Sequence, residues 1–238
     1  MTEHTSPKIT RSGVSRLITV AASNVLAAAL FFAGAGTLSL QRAWLYYGGL
    51  LAYLLVAMVV LLVRFPATIE LINERGKMTK KDVKPWDKAF GIIYVALLVV
   101  QPVVAGLDAG RFRWSEPPAF LAAPALGVTL LAMLFVHWAM VVNRFAETGV
   151  RIQDDRDHEV VSAGPYRFVR HPFYVSVIVT QLFYPPAVGS LCAYLPALAI
   201  VALFVWRTAR EDATLRAELP GYADYASRVR CRLLPGVW

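Results

Sequence analysis

Apolar residues in this chain run in long blocks instead of alternating with polar ones. A helix that crosses a bilayer needs about 20 mostly apolar residues to cover roughly 30 Å of hydrocarbon. Four blocks reach that length: residues 17–40, 44–63, 89–107 (with Gln101-Pro102 inside) and 119–142. Two shorter blocks, 172–184 and 191–206, flank Pro185-Pro186-Ala187-Val188-Gly189-Ser190. Two consecutive prolines remove two backbone donors, so the first of these helices is predicted to end before them. The pair reads as a short, tilted or partly re-entrant hairpin. The pattern predicts an all-α integral membrane protein with about six transmembrane helices, the fifth and sixth a hairpin, and a C-terminal helical cap on the cytoplasmic side.

Composition agrees: 57% of the 238 residues are hydrophobic and 17% charged, against about 45–50% and 25% in soluble domains. That balance excludes intrinsic disorder and collagen-like repeats. The net charge of +8 would suit nucleic acid, but its distribution gives another reason for it. Of the 24 lysines and arginines, all but Arg42, Arg111 and Arg113 fall in the N-terminal tail, residues 64–88, residues 143–171 or the C-terminal tail. Positive residues stay in the cytoplasm, which puts both termini and both long loops there, with the bilayer of a bacterial inner membrane as partner. The first apolar block exceeds the 7–15 residues of a secretory signal core and reads as a retained helix. Cys192 and Cys231 stand far apart and imply no disulfide framework. The simplest organisation is one structural unit: a four-helix membrane region (residues 1–142, with basic loop 64–88), then residues 143–238, which carry the polar motifs.

Those motifs lie on the predicted cytoplasmic side. The first is Gly164-Pro165-Tyr166-Arg167-Phe168-Val169-Arg170-His171-Pro172-Phe173-Tyr174. Gly-Pro signals a turn, Pro172 suits the first position of a helix, and His171 before it is pushed out of the α region. Free backbone N–H groups at such a helix mouth attract anions. Tyr166, Phe168 and Tyr174 can hold a cation or anchor the helix at headgroup depth. The second motif is Arg207-Thr208-Ala209-Arg210-Glu211-Asp212, where Arg207 and Glu211 share a helix face. A folded hairpin brings the two motifs side by side. His137, beside Trp138, is either a proton acceptor or an interhelical hydrogen-bonding residue. The histidines and cysteines show no metal-ligand spacing, and no glycine-rich nucleotide loop follows a strand.

At these residues the sequence resembles the isoprenylcysteine carboxyl methyltransferase family and the related phospholipid N-methyltransferases. Gly164-Pro165-Tyr166, Arg170-His171-Pro172-x-Tyr174, Arg207-x-x-x-Glu211-Asp212 and the ending Gly221-Tyr222-x-x-Tyr225 with Leu234-Pro235 carry the resemblance. It implies an integral membrane methyltransferase that takes S-adenosylmethionine from the cytoplasm and a lipophilic or small membrane-accessible acceptor from the bilayer. Tyr166, Arg170, His171, Pro172 and Tyr174 would then line the cofactor site, and Glu211 with Asp212 would receive the cofactor's ammonium. Arg207 would orient the acceptor, particularly a carboxylate, and His171 would accept a proton from an amine or thiol. One alternative is an NADPH-dependent enzyme like the membrane sterol reductases, although Glu211-Asp212 would repel a 2′-phosphate. Another is a transporter or scaffold, although the helix interiors hold little beyond Asn24, Gln101 and Gln181. The charge asymmetry yields a direct test of orientation: a membrane-impermeant thiol reagent should label Cys231 only when applied from the cytoplasmic side.

Overall fold

The computed structural model describes residues 8–75, 83–234, 236 and 238; residues 76–82 of the basic loop, including Lys77, Lys80, Lys81 and Asp82, lie outside the described residues. Every regular element among those described is helical. Helices α1 (Arg11–Ala35), α2 (Gln41–Arg64), α4 (Pro85–Gly106) and α5 (Ala122–Val142) are long and apolar enough to cross a membrane. A π-helical turn extends α4 to Phe112, and short α3 (Thr68–Glu74) follows α2. The chain then forms α6 (Pro172–Val188), α7 (Tyr194–Glu218) and α8 (Tyr222–Arg228).

The hairpin departs from expectation at its prolines. Helix α6 does not stop before Pro185-Pro186 but runs through both to Val188. The missing N–H of Pro186 frees the Leu182 carbonyl, and the Tyr194 hydroxyl of α7 donates to it at 3.1 Å. A neighbouring helix therefore satisfies what the proline left open, as membrane helices commonly require. Gly189, at φ +88°, then closes α6, with its N–H and that of Ser190 on the Pro185 carbonyl at 3.1 and 3.0 Å. Helix α7 also outruns its apolar block, ending at Glu218 instead of Trp206. Its first half is apolar and its second half carries Arg207, Glu211 and Asp212.

Four polar and steric devices fix the bundle. Helices α1 and α4 cross where Gly34 meets Val103 and Gly106 meets Phe31; a Cβ on Gly106 would lie 2.0 Å from the Phe31 carbonyl oxygen. Small residues permit this close approach. Buried polar pairs link α4 to α6 through Gln101 and Gln181 (2.6 Å) and α2 to α6 through Tyr47 and Tyr184 (2.8 Å). At the end where α6 turns into α7, buried Asp108 accepts from Ser115 N (2.7 Å), Ser115 Oγ (2.5 Å), Ser190 Oγ (2.6 Å) and Cys192 N (3.1 Å). At the opposite end Asn73 accepts from Thr10 N at 3.0 Å and ties α3 to the start of α1.

The α1–α4 crossing has a measurable consequence. Gly106→Ala should destabilise by about 1–3 kcal/mol through overpacking against backbone, read as a lower thermal midpoint in detergent. Gly127→Ala, where a Cβ meets nothing within 4 Å, should leave that midpoint unchanged or raise it.

Candidate functional site

The site begins at a single 3-10 turn, Gly164–Arg167. Gly164 has φ +55°, and a Cβ there would press to 3.0 Å from the Trp138 indole nitrogen. The next residues run beside the C-terminal tail: Arg170 N donates to Cys231 O and His171 N to Arg232 O, both at 3.0 Å. His171 has φ −124°, and Pro172 opens α6 at its first turn. The Arg170 guanidinium reaches Asp212 (2.7 and 3.0 Å) and the carbonyls of Val229 (2.6 Å) and Arg230 (2.8 Å).

Across from it, the polar half of α7 separates two adjacent acids. Glu211 accepts a short hydrogen bond from the Tyr174 hydroxyl, and the His171 ring lies parallel to the Tyr174 ring at 5.5 Å. Asp212 is fully buried and faces another way. Besides Arg170, its oxygens accept from Arg216 (3.1 Å), Arg232 (3.0 Å) and the Tyr222 hydroxyl (3.0 Å), with His171 Nε2 3.5 Å away. Burial alone would push the Asp212 carboxyl up, but His171 and Arg170 override it and hold it well below the usual carboxylate range. Arg207 also lies behind the site. Its Nε approaches Asp87 Oδ1 at 2.9 Å, as an ion-pair contact without good hydrogen-bond alignment. Its Nη2 donates to Asp87 Oδ2 (3.1 Å) and Thr148 O (2.6 Å), and the guanidinium sits 4.3 Å from the Phe90 ring and 5.2 Å from the Tyr174 ring.

A cavity of about 120 Å³ lies between the 143–171 loop, the start of α6, α7 and α8. Its walls include Tyr166, Arg170, His171, Pro172, Tyr174 and Glu211 from the two motifs. Arg207 and Asp212 are not on the walls. Asn143, Gln153 and His158 are on them, and none was given a site role from sequence, because the loop that carries them has no periodicity to read. Asn143 donates to the Tyr166 hydroxyl at 2.8 Å. The His158 ring packs 4.7 Å from Phe145, and burial, then Arg151 and Arg156, lower its pKa. Ion pairs of Arg151 with Glu147 (3.1 Å) and Asp155 (2.7 Å), and of Arg156 with Glu70 (2.8 Å), hold this loop in place. His137 shares a 2.7 Å hydrogen bond with the Tyr53 hydroxyl, joining α5 to α2. Among the described residues no three His, Cys, Asp or Glu side chains are grouped to hold a metal ion.

Residues 125–217, which include most of α5 and α7 and all of α6, match the model of the isoprenylcysteine carboxyl methyltransferase (ICMT) family. The match covers under half of the chain, so the likeness to the ICMT family is one of this segment. The chain is also similar to the cobalt-zinc-cadmium resistance protein CzcN of Cupriavidus metallidurans, 29% identical over 141 residues, covering 55% of this chain and 58% of that protein. The nickel-cobalt-cadmium resistance protein NccN of Alcaligenes xylosoxydans xylosoxydans is 28% identical over 135 residues, covering 55% of this chain and 59% of that protein. The chain thus spans a little under three-fifths of the length of these curated relatives.

The buried carboxylate of this site sets a pH dependence. Asp212 is ionised in the fold below the pH at which the unfolded chain protonates it, near 4. Its stabilisation is therefore fully present above about pH 4 and is lost as the pH falls toward its low folded value. Asp212→Asn should cost about 3–5 kcal/mol at neutral pH, by leaving buried guanidinium groups uncompensated, and should flatten the acid limb of a thermal-stability profile.

Proposed function

We propose that this chain is an integral membrane methyltransferase that uses S-adenosylmethionine and acts on a lipophilic or small membrane-accessible acceptor, with its site facing the cytoplasm. The observation that carries this reading is Glu211: a carboxylate on the wall of an aromatic-lined cavity, in a segment of a methyltransferase family. The residues present fit such a donor. Glu211 offers a carboxylate for an ammonium group, and Tyr166, Tyr174 and Tyr222 offer ring faces to a sulfonium, which aromatic quadrupoles attract. When bound, S-adenosylmethionine supplies an electrophilic methyl group on a positively charged sulfur.

The chain's own residues do the rest. Tyr174 fixes Glu211 through its hydroxyl, and the His171 ring braces Tyr174 from one side. Arg207, locked by Asp87 and Thr148, lies near the Tyr174 ring and acts as a positioning residue. The 143–171 loop forms one wall of the cavity, beside α6 and α7. A carboxylate acceptor is already ionised at pH 7 and needs no base. An amine or thiol needs a proton acceptor within hydrogen-bond reach, and His171 on the cavity wall is the candidate.

Calorimetric titration of the purified protein tests this reading. S-adenosylhomocysteine should bind and NADPH should not. Glu211→Ala should weaken S-adenosylhomocysteine binding at least tenfold, about 1.4 kcal/mol. Tight NADPH binding, or an unaffected Glu211→Ala variant, would overturn it.

A further inference from the structure

On two helices an acid and the base beside it in sequence face opposite ways. In α4, fully buried Asp87 turns inward to Arg207, and Lys88 next to it is exposed. In α7, Glu211 reaches the cavity wall, and Arg210 next to it is exposed. The acids are used inside the protein and the bases are left on its outer surface. Neither base makes an ion pair among the described residues, although Arg207 and Arg216 of α7 both do.

Two tryptophans mark the level at which this happens. Trp206 lies one turn before Arg210 and is exposed on the same face of α7, since residues four apart share a face. Its ring meets Trp86 of α4 edge-on at 5.6 Å, and the Arg210 guanidinium lies 5.6 Å from the Trp86 ring. The Trp44 indole of α2 donates to the Leu38 carbonyl at 2.8 Å, whereas those of Trp86 and Trp206 meet no acceptor among the described residues. On the apolar side of the cluster the outer faces of both helices carry hydrocarbon, with Ile92, Ile93 and Ala96 on α4 and Leu198, Ala202 and Val205 on α7 all exposed. Tryptophan belongs at the depth of lipid headgroups, with a dry ring and a wet N–H. Arginine lays its stem along apolar surface and keeps its head among the phosphates.

The geometry points to a phospholipid-binding surface at Trp86, Trp206 and Arg210, with an anionic headgroup as its occupant. Arg210 offers forked donors to the phosphate, the two indole N–H groups add uncharged donors, and Lys88 adds a second positive charge for a lipid of net negative charge. The exposed stripes of α4 and α7 receive the acyl chains. A zwitterionic lipid brings its own ammonium group and gains less from these bases. None of Trp86, Lys88, Trp206 and Arg210 lines the cavity, so the lipid here is a bound partner and not an acceptor. Its headgroup bridges the two helix ends that hold Asp87 against Arg207 and braces that pair. The inference stands whether or not the cavity binds S-adenosylmethionine.

The test uses the full-length protein in maltoside detergent, titrated by calorimetry with soluble short-chain lipids. Dihexanoyl phosphatidylglycerol should bind at least fivefold more tightly than dihexanoyl phosphatidylcholine and should raise the thermal midpoint more. Arg210→Gln should bring the ratio below twofold, and Arg210→Lys should keep part of it. Trp86→Phe combined with Trp206→Phe, which keeps rings and removes both N–H groups, should weaken both lipids; if that variant does not fold, the Arg210 variants carry the test. Arg228→Gln, at an exposed arginine of α8, and Glu211→Ala, on the cavity wall, should leave the ratio unchanged. A ratio that survives Arg210→Gln, or that falls equally in Arg228→Gln, would reveal only a general attraction to positive surface and overturns the proposal. Loss of the ratio in Glu211→Ala would put the lipid in the cavity and overturns it too. Glycerol phosphate binding as tightly as phosphatidylglycerol would overturn its lipid part.

Discussion

The polar end of this protein depends on one buried carboxylate. Asp212 has no exposed surface and holds three guanidinium groups from three separate stretches: Arg170 before α6, Arg216 one turn along α7, and Arg232 in the tail. Removing such a charge from water costs several kcal/mol, which only close, well-aligned partners return. The partners are therefore not interchangeable with looser ones, and their geometry propagates. Arg170 carries the carbonyls of Val229 and Arg230 with it, which lays the tail along the 164–174 motif and fixes the backbone of His171. The His171 ring then lies parallel to Tyr174, and Tyr174 holds Glu211. A chain of contacts thus runs from an ion knot outside the cavity to the acid on its wall.

Helix α7 makes this division possible. Successive residues of an α-helix are about 100° apart, so two neighbouring acids cannot face the same way. Glu211 and Arg207 differ by four residues and share a face, yet Glu211 reaches the cavity while Arg207 is drawn back by Asp87 from the start of α4. Asp212 turns to the ion knot. The apolar half of the same helix packs against α6 and α4 through Ile200 and Phe204. One helix therefore spans two environments, and its register fixes which acid meets which.

Much of this was legible in the sequence. Uninterrupted apolar blocks marked the four long helices because burial in lipid leaves no polar face to interrupt them. The meeting of Tyr174 with Glu211 was legible because a hairpin leaves its two outer ends side by side. The run through Pro185-Pro186 was not, since it depends on a hydroxyl from Tyr194 that only tertiary structure delivers. Nor could spacing tell that Asp212 and Arg170 neutralise each other, or that Arg207 would be claimed by Asp87, 120 residues away in the chain. Asn143, Gln153 and His158 sit in a loop shaped by ion pairs rather than by a repeating pattern, so no local signal marked them.

The position of Tyr174 shows why these constraints converge. It is the third residue of α6, so its backbone belongs to the mouth of a helix, while its ring packs edge-on to Phe204 in the apolar layer and its hydroxyl meets Glu211. Tyrosine suits such a boundary because its ring is apolar and its tip is polar. On the proposed reading, a water-soluble donor and an oily acceptor share this boundary, with the charged contact on one flank and the apolar contact on the other. Phenylalanine would keep the packing and lose the hold on Glu211, while a smaller polar residue would keep a hydroxyl and lose the wall. The boundary therefore asks for both ends of this side chain at once, and the ion knot behind it keeps them in register.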